Sequence, residues 1–130
     1  MSNHDRIHRM TTRTQRVLWW MLVIGWMALI YFLSSRPDLH SGLQPTWDVI
    51  LRKIAHMVEY GILTWLLIQA IRAGTPITGR TMLISISLAS LYALSDEYHQ
   101  TFIVGRHGSP IDWLIDLVGV GTAAIIIQRH

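Results

Sequence analysis

From Val17 to Leu33 the chain reads VLWWMLVIGWMALIYFL, 17 residues without a charge. As a helix this run is about 25 Å long, enough to cross a hydrocarbon core when its flanking residues help. It is apolar on every face, whereas a helix of a soluble bundle keeps a polar stripe. Lipid is therefore the expected solvent. Composition agrees: 51% of residues are hydrophobic and 15% charged, against roughly a quarter charged in a soluble domain. A basic flank before an apolar run is also the plan of a signal peptide. This run is long for that role and no A-x-A-like cleavage site follows it, so it is read as a retained anchor. The absence of cysteine excludes disulfides, thiolate metal sites and cysteine nucleophiles. The pI of 9.8 does not point to nucleic acid, because the basic residues are distributed as a topology signal.

Three further helices are expected. The second starts near Thr46 or Asp48, either of which could cap it, and runs to about Ile71. The segment 72–80 (RAGTPITGR) turns the chain, with Gly74 and Pro76 as stop signals. The third begins near Thr81. Its apolar part ends at Leu94, too short to span alone, so it must carry the polar stretch Ser95 to Gln100 with it and end around Val104. Ser109, Pro110 and Asp112 read as N-cap, N1 and N3 of a fourth helix reaching about Ile127. Residues 34–47 form a loop. The expected fold is all-α, a four-helix transmembrane bundle.

Lys and Arg favour short cytoplasmic segments. With the N-terminus inside, the inner segments carry Arg6, Arg9, Arg13, Arg16, Arg72, Arg80 and Arg129, seven in all; the outer ones carry Arg36, Arg52, Lys53 and Arg106, four in all. The expected topology is N-in and C-in, in the cytoplasmic (inner) membrane. Seven of the eight acids (Asp38, Asp48, Glu59, Asp96, Glu97, Asp112 and Asp116) then fall outside or in the outer half of a helix. Acids contribute little to topology, so this placement suggests a site.

On the second helix Arg52, His56, Glu59 and Tyr60 share a face by their i, i+3 and i+4 spacing. On the third, Asp96, His99 and Gln100 share a face, with Glu97 one step round. On the fourth, Asp112 and Asp116 are four apart. Ionisable groups within a span cost about 2.5–3.5 kcal/mol each at the helix centre unless they pair or reach water. Three helices carrying them at one depth should turn them inward, around a polar, hydrated pocket opening outward. Ion pairs that glue the helices are the plainer explanation for any one pair, such as Glu59 with Arg52 or Arg106, or Asp112 with Arg106. Gluing needs fewer groups than these, so a pocket is expected for the cluster.

Three blocks carry a resemblance. Lys53-x-x-His56-x-x-x-Tyr60, then Ser95-Asp96-Glu97-Tyr98-His99-Gln100 with Phe102 and Gly105-Arg106, then Asp112-x-x-x-Asp116-x-x-Gly119 together resemble the VanZ-like family. The similarity covers about Val17 to Ile127. It implies a VanZ-like four-helix transmembrane domain over 17–128, preceded by residues 1–16, which their arginines mark as a basic cytoplasmic segment. The family consists of small multi-pass bacterial membrane proteins whose namesake is associated with resistance to the glycopeptide teicoplanin. Lys53, His56, Tyr60, Glu97, His99, Gln100, Arg106, Asp112 and Gly119 are the positions the resemblance singles out. The family usually has Asn where this chain has Asp116, and often an acid where Arg52 stands.

The ligand-binding candidates are thus Lys53, His56, Glu59, Tyr60, Asp96, Glu97, His99, Gln100, Arg106, Asp112 and Asp116. The candidates for general acid–base work are His56, Glu97 and His99. His56, Glu59, Glu97, His99, Asp112 and Asp116 are ligand types for Zn or Mn. Yet neither H-E-x-x-H nor a cysteine pattern occurs, and His-x-x-Glu reverses the order used in di-iron bundles. No metal and no cofactor is expected. The expected function is an envelope membrane protein whose outward pocket binds an outer-leaflet or extracytoplasmic ligand, linked by resemblance to glycopeptide resistance. The alternative is a metal- or His-dependent membrane hydrolase or transferase acting on a lipid headgroup. Membrane lipids are the expected partners. Trp19, Trp20, Trp47 and Trp113 are expected at the membrane interfaces and Trp26 and Trp65 within the packing. Gly119, Gly121, Ala123 and Ala124 are expected to form a small-residue face.

Overall fold

The polar N-terminal segment is helical, and it is continuous with the first apolar run. In the computed structural model, which describes residues 2–35, 45–103 and 110–129, α1 spans Asn3–Ser34. A capping box starts it. The Ser2 side chain accepts from the Asp5 backbone N–H at 3.2 Å, and the Asp5 carboxylate takes the Ser2 backbone N–H at 3.2 Å. Described residues up to Leu18 are all exposed, and Gln15 lies beside Gly74 in the turn that follows the second helix. Residues 3–14 therefore project past the bundle as an arm about 18 Å long. Arg6, Arg9 and Arg13 of the arm and Arg16 just beyond it, spaced three, four and three, lie on one face.

The other elements are α2 (Pro45–Arg72), α3 (Gly79–Gln100) and α4 (Pro110–Arg129). Thr46 and Asp48 fall inside the first turn of α2 and do not cap it; Pro45 occupies the first helical position, where its missing N–H costs nothing. Thr78 starts α3 two residues earlier than expected, its hydroxyl accepting from the Thr81 N–H at 3.2 Å. α3 ends at Gln100, not near Val104, which lies outside the described residues, as do Ser109 and the expected cap of α4. Pro110 opens α4 as expected. α1, residues Ile50–Arg72 of α2, and α4 are each long and apolar enough to cross a membrane. α3, with its polar last turn, runs beside α2 and α4.

The contacts fix the directions. Trp19 meets Trp65 and the Trp26 indole donates to the Glu59 carbonyl, so α1 and α2 are antiparallel. Tyr60 reaches Asp96, so α3 runs back along α2. Lys53 meets Asp112 and His56 meets Asp116, so α2 and α4 are parallel. The bundle runs up, down, up, down with α2 in the middle, touching all three others. Its Tyr60, Leu63, Leu66, Leu67 and Ala70 meet Val23 and Ile30 of α1, Ala89 and Ala93 of α3 and Val120 of α4 in the core. Ile24, Leu29, Leu83, Leu91, Ile125 and Ile126 are exposed, the outward apolar surface that lipid requires.

The closest helix approach is between α2 and α4. A Cβ added at Gly119 would lie 2.1 Å from the Met57 carbonyl oxygen, and one at Gly61 would lie 3.4 Å from the Gly119 carbonyl oxygen. Such contact of backbones is what small residues permit between membrane helices. Gly119, Ala123 and Ala124 belong to packed faces, whereas a Cβ added at Gly121 would meet nothing within 4 Å, so no close approach requires glycine there. One tryptophan departs from expectation: Trp65 lies at the outer surface, 42% exposed. Trp113 is part-buried and donates to the Ser90 carbonyl at 3.2 Å. Trp26 is packed as expected, and the Trp47 side chain lies outside the described residues.

Two outcomes follow for stability. Gly119→Ala forces α2 and α4 apart and should cost at least about 1–3 kcal/mol, read as a fall in melting temperature in detergent. Ala73 sits at φ 45 just after α2, a left-handed conformation that costs a Cβ-bearing residue about 1–2 kcal/mol. Ala73→Gly relieves that strain and should raise the melting temperature in detergent.

Candidate functional site

The bundle end opposite the N-terminal arm gathers the C-terminus of α1, the first half of α2, the last turns of α3 and the start of α4. At its rim the Lys53 ammonium stands 3.5 Å from the Asp112 carboxylate, with the side chains 42% and 30% exposed. A pair this open contributes at most about 1 kcal/mol. One turn deeper, His56 Nδ1 lies 3.3 Å from Asp116 Oδ1. Asp116 is 1% exposed. The contact between Met57 and Gly119 is adjacent in sequence to His56 and one helical turn beyond Asp116, so close packing of α2 on α4 is what brings this pair together.

The other imidazole nitrogen faces Gln100. The Gln100 amide nitrogen donates to Ser34 Oγ at 3.1 Å and lies 3.5 Å from His56 Nε2. An amide NH2 has only protons to offer, so His56 Nε2 accepts and Nδ1–H points at Asp116. Below this, the Tyr60 phenol, fully buried, donates to Asp96 Oδ2 at 2.9 Å. Glu97, 6% exposed, completes the layer: one ligand atom each from His56, Glu97 and Asp116 lie within 4.8 Å of one another. Asp96, Glu97 and Asp116 thus bring three carboxyl groups into one buried layer, while Arg52 and Lys53 stand nearer the mouth.

The inward face of α3 differs from the one the spacing suggested. Asp96, Glu97 and Gln100 are buried, whereas His99 turns toward α1 and stacks on Tyr31 with ring centroids 4.6 Å apart. Glu59 is half-buried and its ligand atoms do not join the three that converge. Arg106, and with it the expected pairing to Asp112 or Glu59, lies outside the described residues. The sequence places Ser34 in the loop 34–47. It is the buried last residue of α1 and holds Gln100. Tyr92, which donates to the Met27 carbonyl at 2.6 Å, was also not singled out; an aromatic three residues ahead of a polar block carries no signal that separates it from core.

Glu97 has a second neighbourhood. Together with Leu91, Leu94, Tyr98 and Trp113 it lines an open, apolar groove of about 740 Å³ between α3 and α4. The groove opens on the outer surface of the bundle, where Leu91, Leu94 and Tyr98 are exposed, and a carboxyl group of the polar layer stands in its wall. The arrangement can therefore meet an amphiphile: apolar walls for a chain, carboxylates and an imidazole for hydroxyl, ammonium or cation.

The VanZ/LLP1 family model matches residues 6–129. Neither the curated proteins nor the solved structures gave a match. The match runs from the arginine arm through all three polar blocks to the last turn of α4, and the chain belongs to the VanZ/LLP1 family.

Proposed function

We propose that this VanZ/LLP1 protein sits in the cytoplasmic membrane with both termini inside, and that its polar layer faces outward and binds an outer-leaflet or extracytoplasmic amphiphile. The observation that carries this is the α3–α4 groove, apolar along its walls and bordered by Glu97 of the buried layer. A ligand with an apolar chain would lie in the groove and present its headgroup to Glu97, His56 and Asp116. Acid outnumbers base there, which favours hydroxylated or cationic headgroups over a bare polyanion. The link to glycopeptide susceptibility rests on the resemblance to the family's namesake. A second reading, a His-dependent hydrolase or transferase on the same headgroup, is favoured by one contact: the imidazole of His56 oriented by a buried carboxylate at 3.3 Å, the arrangement of a general base.

Lipid copurifying with the protein in mild detergent, measured by native mass spectrometry, tests the binding reading. Glu97→Gln and the groove-filling Leu94→Trp should each lower the bound fraction about fivefold or more, ~1 kcal/mol of binding. Leu83→Trp, on a surface away from the groove, should leave it unchanged. The same lipid complement in all three would remove the ligand from this groove. Orientation has its own check: a reporter active only outside the cytoplasm should be silent after His130 and active when inserted at 36–44, and the reverse pattern would invert the topology.

A further inference from the structure

We infer that His56, Glu97 and Asp116 form a binding site for one divalent transition-metal ion of the zinc or manganese class. The three residues come from three helices, α2, α3 and α4, and each offers one ligand atom within 4.8 Å of the others. Nitrogen and oxygen ligands bind such ions at about 2.0–2.2 Å, which puts neighbouring ligand atoms roughly 3–4 Å apart. Closing this set onto an ion takes side-chain shifts of about 1 Å.

A second observation is independent of that spacing. Asp116 Oδ2 is fully buried and has no hydrogen-bond partner among the described residues. Buried carboxylate oxygens are normally satisfied, and a metal ion supplies what hydrogen bonding leaves out here. The donor set also discriminates between ions. One imidazole with two carboxylates suits zinc or manganese; the all-oxygen preference of calcium and magnesium and the thiolate preference of copper(I) are not met. Coordination through Nδ1 moves the imidazole proton to Nε2, and the Gln100 amide, turned so that its oxygen faces Nε2 and Ser34, would accept it, the kind of support that orients a metal-binding imidazole. Three protein ligands leave a coordination position for water or for an oxygen of a bound molecule. The inference uses the polar layer of the proposed pocket but does not need the lipid, so the two can fail separately.

The N-terminal arm complicates the measurement. His4 and His8 lie one turn apart with Nε2 atoms 3.1 Å from each other, and such a pair takes zinc by itself. The test therefore uses untagged protein carrying His4→Ala and His8→Ala, stripped with chelator, in detergent without added lipid. Titration with zinc chloride or manganese chloride, followed by calorimetry, should show one saturable site of micromolar affinity or tighter, with magnesium far weaker. Asp116→Asn and Glu97→Gln should each weaken it at least about tenfold, while His99→Gln should not. Melting curves of the stripped variants confirm that they fold, and the ion should raise the melting temperature of the parent alone. If neither zinc nor manganese binds saturably, or if Asp116→Asn and Glu97→Gln both fold and bind as the parent does, the layer is a hydrogen-bonded network and the inference is wrong. Metal without lipid, or lipid without metal, overturns one proposal and leaves the other standing.

Discussion

Everything at the polar end depends on how near α4 comes to α2. With no side chain at Gly119, the two backbones meet at Met57, and the residues beside that contact, His56 and Asp116, have nowhere to go but toward each other. Between membrane helices there is no hydrophobic driving force to hold such a crossing, because lipid tails are as apolar as the side chains; close packing and polar contacts must do it. The crossing and the site are thus two descriptions of one interface. The small residues let the helices in, and the imidazole and carboxylate lock the registry.

The cost of that arrangement explains the surrounding network. Three carboxyl groups in one buried layer are expensive unless partners reach them. The structure answers with a phenol on Asp96, an imidazole on Asp116 and an amide that braces the imidazole from behind. Each of these groups comes from a different helix than the one it serves. The layer therefore specifies the fold as well as occupying it, since a shift of one helix by one residue would leave several groups without partners.

The sequence was most informative where helical spacing alone decides geometry. The stripe on α2, the pair on α4 and the apolar spans are all readable from period 3.6. Which stripe faces which is set by interhelical packing, and there the sequence misled. No spacing along one helix shows that Lys53 meets Asp112 or that Tyr60 serves Asp96. His99 and Glu97 exchange roles because α3 is rotated by about 50° from the face its polar spacing suggested; only its contacts to α1 and α4 could reveal that. The helical arm was legible in principle, through Ser2 and Asp5 as a capping box, but its polarity matched that of a coil. The alternation of four spans already makes α2 and α4 parallel, but that they are neighbours across a close glycine contact has no signal in a single sequence beyond the small residues themselves.

Because residues 3–34 share one hydrogen-bond ladder, the arginine arm and the polar end of the bundle are marks on the same ruler. Arg16 and Ser34 are 18 residues apart, about 27 Å along the helix, close to the thickness of a hydrocarbon core of about 30 Å. When Arg16 rests among headgroups on one side, Ser34 arrives at the headgroups on the other, and it brings Gln100 and His56 with it. In thicker or thinner bilayers the arginine stripe would hold one end in place, and the depth at which the carboxyl layer meets water would be the quantity that changes.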